Sequence, residues 1–184
     1  MKKIILIFLL ITLSSFSNTT NFRTYIGISN GDWRLRTKDK LNEFDKAVDF
    51  DKKSYSINFE FDRNIHKHMF FLVGTGYEGN YVFKDGSSSY DIIPLYIGGR
   101  IEYFDNALWN PYFVGKIGYP IITNKKNLTL DTSNRNGWAA IGFGFKFKKN
   151  YLTELSYKQH ISNDYVENKE YDARLLALNL GYKF

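Results

Sequence analysis

Three polar side chains near the C-terminus are of the types that ester hydrolysis uses. His160 and Ser162 are separated by one residue, and Asp172 follows on the next predicted strand. A serine hydroxyl is a poor nucleophile until an adjacent base accepts its proton, and a carboxylate can fix the tautomer of a histidine base. If the fold brings the three side chains together, they could hydrolyse an acyl ester.

The elements that would position these residues are β-strands. After an N-terminal apolar segment the sequence repeatedly alternates with period two, and no stretch has helical periodicity. Most of the predicted strands reach the roughly 9–11 residues that a transmembrane β-strand needs. The eight predicted strands are 22–35, 53–62, 69–81, 90–104, 111–123, 137–148, 151–162 and 171–184.

The predicted connections alternate in length. The long ones are 36–52, 124–136 and 163–170, a medium loop contains 85–89, and the short turns are 62–68, 105–110 and 149–150. The tight turns therefore share one end of the sheet with both termini. This asymmetry is typical of outer-membrane barrels, whose periplasmic turns are short and whose extracellular loops are long.

Each predicted strand has an apolar face and a face of glycine and charge. Ile97 and Ile101, for example, alternate with Gly98 and Arg100. Alternation alone also permits a soluble, lipid-binding barrel of the lipocalin kind, which would bury the apolar face. Glycine on the polar face suits a narrow lumen, and aromatic residues near strand ends suit membrane interfaces. These features favour the membrane barrel.

We therefore predict an all-β fold for residues 18–184, an eight-stranded antiparallel up-and-down transmembrane β-barrel. The mean hydropathy of −0.37 agrees, because only one face of each barrel strand is apolar.

With the polar face inward, charges of both signs would occupy the lumen. The predicted lumen charges are Glu60, Asp62, Glu78, Arg100, Glu102, Lys116, Lys146, Glu154 and Lys158. Buried charges must be paired, since unpaired ones cost several kcal/mol each. Eight strands leave little space beyond their own side chains, so we favour a plug of ion pairs over a small gated pore.

The N-terminus has the layout of a cleaved signal peptide. Met1–Lys3 is basic, Ile4–Leu13 is apolar but too short to span a bilayer as a helix, and Ser14–Ser17 is a small-residue stretch. We predict a signal peptide over residues 1–17, with cleavage near Ser17, and an outer-membrane location for the remainder.

Composition excludes several kinds of partner and site. The net charge of +6 falls to +4 without Lys2 and Lys3, which is too weak to indicate nucleic acid binding by an exported protein. The chain has no cysteine, so thiolate catalysis and cysteine-ligated metals are excluded. His66 and His68 are interpreted as solvated turn residues rather than metal ligands, and we expect no cofactor.

The chain from residue 22 to 184 resembles the small outer-membrane β-barrel superfamily of the OmpA/OmpX type. The strand spacing, the segment Tyr151–Tyr157 and the closing segment Leu178–Phe184 carry this resemblance. Members of this family are adhesins, lipid-interface stabilisers or proteins of unassigned role, so the resemblance implies an outer-membrane location more than an activity, and we expect a monomer. The implied partners are lipopolysaccharide, a host or surface ligand, and the assembly machinery that reads a C-terminal Phe184.

A second resemblance covers Gln159–Asn163 and Asn168–Asp172. These segments are similar to the H-x-S-N motif and the following acid of the lipid A 3-O-deacylase family. The resemblance implies that His160 is the general base, Ser162 the nucleophile and Asp172 the residue that orients the imidazole. Asn163 would then help to stabilise the oxyanion.

Strand parity sets a condition on this hydrolase. Strict alternation places His160 and Ser162 on the lumen face, and Asp172 on the lipid face with Leu176. A triad would need a β-bulge near Gln159 to change the parity. The alternative is that these are ordinary strand-exit and turn residues. We favour a non-catalytic barrel whose loops serve adhesion or lipopolysaccharide contact, with the deacylase as the alternative.

Overall fold

The computed structural model describes residues 20–37, 45–49, 54–82, 89–104, 108–126, 136–164 and 169–184. The predicted signal peptide, residues 1–17, lies outside this range and stays a prediction. In the part of the chain that is described, no helix is long and apolar enough to span a membrane.

The described residues form nine β-strands. They are β1 (Thr20–Thr37), β2 (Asp45–Asp49), β3 (Ser54–His66), β4 (Met69–Val82), β5 (Ser89–Glu102), β6 (Trp109–Lys126), β7 (Gly137–Phe147), β8 (Tyr151–Asp164) and β9 (Lys169–Lys183).

Eight of these strands form a closed, antiparallel, up-and-down barrel. Each of β3 to β8 pairs with the next strand in the chain, and β1 pairs with both β3 and β9. The closing pair runs from Arg23 opposite Lys183 to Thr37 opposite Lys169. Closure leaves the barrel without an open edge along these pairings, so the predicted fold class is confirmed.

The ninth strand, β2, was missed by sequence reasoning. Its residues Asp45–Asp49 fall within the predicted connection 36–52 and are mostly charged, so they lack the alternation that indicates a strand. In the structure β2 pairs antiparallel with the outer part of β1, from Asp32 opposite Asp49 to Leu35 opposite Asp45. The prediction of a connection without secondary structure is corrected here, because backbone pairing rather than side-chain pattern defines this strand.

The tight turns all lie at one end of the barrel. Lys67 and His68 join β3 to β4, and residues 148–150 join β7 to β8. Lys148 and Lys149 have φ values of 47° and 69°. Positive φ at both positions matches the twist of a tight hairpin, although asparagine or glycine is commoner there. Thr20 and Phe184 lie at the same end, as predicted.

The apolar residues cover the outside of the barrel and the charged residues fill the inside. Ile117 on the outer face is 63% exposed, whereas Arg100 on the inner face is 1% exposed. The same pattern holds on neighbouring strands, with Leu178 exposed and Asn179 buried. A water-soluble barrel has the opposite arrangement. The structure therefore excludes the soluble lipid-binding barrel and confirms the predicted assignment of the two faces.

Glycine provides the space that aromatic rings occupy in the lumen. A Cβ atom placed on Gly74 would lie 2.5 Å from the ring of Tyr96, and one on Gly144 would lie 2.5 Å from the ring of Tyr112. Both tyrosines are almost fully buried. The inward glycines are thus required by close approach between strand backbone and ring.

Candidate functional site

His160 faces the lumen near the end of the barrel that carries the long connections. Its ring is 1% exposed, and its Nε2 atom is hydrogen-bonded to the Tyr90 hydroxyl at 2.6 Å. The rings of Tyr81 and Tyr90 stack at 5.3 Å, and the His160 ring packs edge-on against both. His160 is therefore part of a buried aromatic cluster.

Asp172 has the strand parity of the outer face, although it is only 4% exposed. It pairs across the strands with Ile161, whereas His160 pairs with Ala173. Its Oδ1 atom accepts a hydrogen bond from Gln159 at 2.8 Å, and its Oδ2 atom accepts one from Arg174 Nε at 2.9 Å. The carboxylate is thus occupied by an outer-face amide and guanidinium.

The β-bulge that a triad would need is absent from β8 as described. The pairing of β8 with β7 runs without a register shift from Tyr151 to Ile161, and its pairing with β9 continues unbroken to Asp164. Ser162 and Asn163 pair with Tyr171 and Glu170 through their backbones, but their side chains lie outside the described part of the chain. The structure does not bring His160 and Asp172 together. Catalysis by His160, Ser162, Asp172 and Asn163 stays a prediction.

The lumen near the short-turn end contains a cluster of five charged side chains. Arg23 contacts Asp62 at 2.5 Å and Glu102 at 3.2 Å. Arg100 forms ion pairs with the same two carboxylates. Lys146 contacts the second oxygen of Glu102. These contacts offset the cost of burying the charges.

A second cluster lies in the middle of the lumen around Lys116. The ammonium group of Lys116 is 2.6 Å from Glu60 and 3.2 Å from Glu154. The Tyr96 hydroxyl donates a hydrogen bond to the same Glu60 oxygen at 3.1 Å. The ring of Tyr25 lies 5.3 Å from the ammonium group, within the range of a cation–π contact.

A third cluster connects the middle of the lumen to the aromatic cluster. Lys158 donates a hydrogen bond to Glu78 at 2.5 Å, and the Tyr81 hydroxyl donates one to the other Glu78 oxygen at 2.7 Å. Paired side chains therefore follow one another along the barrel axis. A cavity of about 10 Å³ remains beside Lys116, which is room for about one water molecule.

Sequence reasoning identified most of these lumen charges. The inward placement of all nine predicted residues is confirmed by their burial and ion pairs. Arg23 was missed, although it has the same parity as Tyr25, which is 2% exposed. Assigning alternate residues of β1 to the two faces would have placed Arg23 in the lumen.

The turn histidines do not form part of a cluster of metal-binding type. In the ranges described, no group of three or more histidine, aspartate or glutamate residues is arranged to hold a metal ion. His66 is exposed and His68 is partly exposed in the turn between β3 and β4.

Comparison with family models agrees with a barrel whose outer face is apolar and whose lumen is charged. The model of the outer membrane protein beta-barrel domain matches residues 4–184. The chain belongs to this family. It is therefore an outer-membrane β-barrel protein, of the small eight-stranded type that the sequence resembles. The short turns, Thr20 and Phe184 accordingly lie at the periplasmic end of the barrel.

Solved structures with the same fold include two bacterial barrels. The crystal structure of neisserial surface protein A is 13% identical, with 89% of this chain and 97% of that chain covered and a TM-score of 0.53. The solid-state NMR structure of AlkL in lipid bilayers is 14% identical, with 91% of each chain covered and a TM-score of 0.53. At this identity the likeness shows the fold alone. No curated protein sequence matches the chain.

Proposed function

We propose that this protein is a non-catalytic integral outer-membrane barrel with a plugged lumen, whose extracellular loops serve adhesion or lipopolysaccharide contact. The observation that carries the proposal is the filling of the lumen by paired side chains. A barrel with a closed interior acts through its outer wall and its loops.

The three charge clusters support the plug. Lys116 bridges two carboxylates in the middle of the barrel, and both Arg23 and Arg100 contact Asp62 and Glu102 nearer the periplasm. An ion that crossed the lumen would have to separate these buried pairs. Separation would expose uncompensated charges at a cost of about 3–5 kcal/mol for each broken pair.

The positions of His160 and Asp172 support a non-catalytic role. The imidazole contacts Tyr90 in the lumen, and the carboxylate contacts Gln159 and Arg174 on the outer wall. An orienting acid must contact the histidine ring directly. In a hydrolase of this type, Asp172 would have to contact the His160 ring instead of Gln159 and Arg174.

The outer wall near the extracellular end supports contact with lipopolysaccharide. Gln159, Asp172 and Arg174 form a hydrogen-bonded cluster there, and the Arg174 side chain is 33% exposed. Polar groups at this level of the wall lie near lipid headgroups. A partly exposed guanidinium can donate hydrogen bonds to a phosphate.

Planar-bilayer recordings test the plug. We expect the purified barrel to give no steady conductance at neutral pH, because its lumen charges are paired. Lys116→Ala, which shortens the central bridging side chain, serves as the positive comparison and is expected to raise the frequency of openings. Stable channels from the wild-type barrel would overturn the plug.

Mass spectrometry of lipid A tests the absence of catalysis. Cells that express the wild-type protein, Ser162→Ala or an empty vector are expected to contain identically acylated lipid A. Loss of an ester-linked acyl chain with wild type alone would overturn the proposal and support the deacylase.

Binding by the loops is tested with purified protein. Replacing residues 127–135 by a short glycine-asparagine turn is expected to weaken retention of purified lipopolysaccharide or attachment of expressing cells to a host surface. Heat-modifiable gel mobility controls for folding of each variant. If the wild type neither retains lipopolysaccharide nor promotes attachment, the proposed contact function is wrong.

A further inference from the structure

In the part of the chain that the structure describes, β7 is shorter than its two neighbours at the extracellular end. Pairing between β6 and β7 ends at Gly118 opposite Trp138, and pairing between β7 and β8 ends at Gly137 opposite Ile161. Beyond these pairs β6 continues to Lys126 beside β5, and β8 continues to Asp164 beside β9. Among the described residues, this difference in strand length leaves a notch between β6 and β8.

An apolar groove of about 440 Å³ lies at the base of this notch and opens on the outer face. Its sides are formed by Ile97 and Ile117 in one direction and by Gln159 and Ile161 in the other. Gly137 and Ala139 lie between them. The groove forms an open depression because these two central residues are small while the flanking residues are large.

Trp138 closes the groove towards the lumen. Its side chain is 4% exposed and stacks on Tyr96, with ring centroids 4.9 Å apart. Trp138 lines both the outer groove and the small internal cavity beside Lys116. Trp138 thus lies between the groove and the lumen, and a molecule in the groove would lie close to the indole without entering the lumen.

We propose that this groove binds an acyl chain of lipid A, the membrane anchor of lipopolysaccharide. The assignment rests on the proposed lipopolysaccharide contact and names the part of the wall that makes it. The groove is continuous with the lipid-facing surface, on which Ile97 and Ile117 are 48% and 63% exposed. It lies towards the extracellular end, where the outer leaflet supplies lipid A. An apolar cleft flanked by large aliphatic side chains fits a hydrocarbon chain.

The polar groups beside the groove agree with this occupant. Gln159 lines the groove and donates a hydrogen bond to Asp172, which is also paired with Arg174. An amphipathic lipid would place its chain between the isoleucines and its headgroup towards these polar side chains. The groove and its rim therefore match the two parts of one lipid molecule.

Tryptophan fluorescence provides a direct test, because bromine on an acyl chain quenches an indole that it contacts. The chain has three tryptophans, and replacing Trp33 and Trp109 by phenylalanine leaves Trp138 as the reporter. The protein is placed in phosphatidylcholine vesicles whose acyl chains carry bromine at a series of depths. We expect at least twofold quenching of Trp138 at one of these depths.

Two matched glycine variants show whether the quenching chain occupies the groove. A Cβ atom at Gly137 or at Gly115 would meet nothing within 4 Å, and both residues are on the outer face. Gly137 lines the groove and Gly115 does not. Gly137→Phe is expected to reduce quenching by at least half, whereas Gly115→Phe is expected to leave it unchanged. Equal quenching in the two variants would overturn the site.

Competition identifies the lipid. Adding unbrominated lipid A to the vesicles is expected to restore Trp138 fluorescence well beyond simple dilution, and the same amount of phosphatidylcholine is not. If lipid A has no greater effect than phosphatidylcholine, the assignment to lipid A is overturned. Ala139→Leu is a second filling variant should Gly137→Phe fail the gel-mobility test of folding.

The variant in which residues 127–135 are replaced distinguishes acyl-chain binding in the groove from binding by the extracellular loop. If the acyl chain binds in the groove, bromine should still quench Trp138 after residues 127–135 are replaced. Loss of loop-dependent binding together with retained quenching would support both proposals. Retained loop-dependent binding with no difference between Gly137→Phe and Gly115→Phe would overturn the groove alone.

Discussion

His160 and Asp172 lie at neighbouring register positions on adjacent strands, yet their side chains face opposite sides of the barrel wall. His160 pairs with Ala173, and Asp172 pairs with Ile161. Because side chains alternate across a strand, one register step is enough to separate an imidazole in the lumen from a carboxylate on the outside. Closeness in sequence and in backbone position therefore does not create a triad.

Double-mutant cycles on the free energy of unfolding can measure this separation. His160→Leu and Tyr90→Phe are expected to be coupled by about 1 kcal/mol, because both remove the same buried hydrogen bond. His160→Leu and Asp172→Asn are expected to be coupled by less than about 0.5 kcal/mol, since their hydrogen-bond partners differ. Urea titrations in lipid vesicles provide the four stabilities of each cycle.

The matched control for this comparison is the outer-face pair. Asp172→Asn and Gln159→Ala share a hydrogen bond of 2.8 Å and are expected to be coupled. A coupling of His160 to Asp172 that exceeds its coupling to Tyr90 would contradict the opposite orientation and revive the triad.

Lys116→Met is expected to destabilise the barrel by about 3–5 kcal/mol, because Glu60 and Glu154 would lose their shared counter-ion while remaining buried. Both carboxylates are at most 2% exposed. The measurement is the urea midpoint of unfolding. The triple variant Lys116→Met, Glu60→Gln, Glu154→Gln should regain much of the loss. If the single variant is as stable as wild type, the middle cluster does not stabilise the barrel.

Gly74→Val is expected to lower stability by about 1–3 kcal/mol, the usual range for overpacking a filled interior. The added Cβ atom would lie 2.5 Å from the Tyr96 ring. Gly115→Val is the control, because a Cβ atom there meets nothing within 4 Å. In a Tyr96→Ala background, Gly74→Val should cost less stability than it does in the wild type. Equal effects at Gly74 and Gly115 would refute the steric explanation.

Phe184→Ala is expected to reduce the amount of barrel assembled in the outer membrane while leaving refolding into detergent intact. The Phe184 side chain is 68% exposed and has only peripheral ring contacts, 5.6 Å from Phe22 and 5.0 Å from Tyr182. Its expected role is recognition by the assembly machinery rather than stability. Heat-modifiable mobility of membrane fractions measures assembly.

Phe113→Ala is the comparison for the terminal residue, since Phe113 is also an exposed aromatic of the outer face. It should leave assembly close to wild type. If both variants lower assembly equally, or if Phe184→Ala also fails to refold in detergent, the recognition role is not supported.

The sequence by itself determined the barrel and the direction of its faces. Alternation such as Ile97, Gly98, Gly99, Arg100 and Ile101 requires two unlike faces, and the alternating lengths of the connections order the strands as an up-and-down meander. Parity grouped the charges on one face, and the glycine of that face and the aromatic residues near strand ends favoured its placement inside. These features are local, because each depends on residues a few positions apart.

Only the tertiary structure decided which side chains meet. The contact of Lys116 with both Glu60 and Glu154 joins three strands, and it depends on the stagger of the closed barrel. The strand Asp45–Asp49 depends on backbone pairing with β1, which its charged sequence does not reveal. The groove at Trp138 depends on which residues of β5 to β8 the barrel register places side by side on the outer face. Stagger, pairing and strand length are properties of the assembled sheet, so a local sequence pattern cannot specify them.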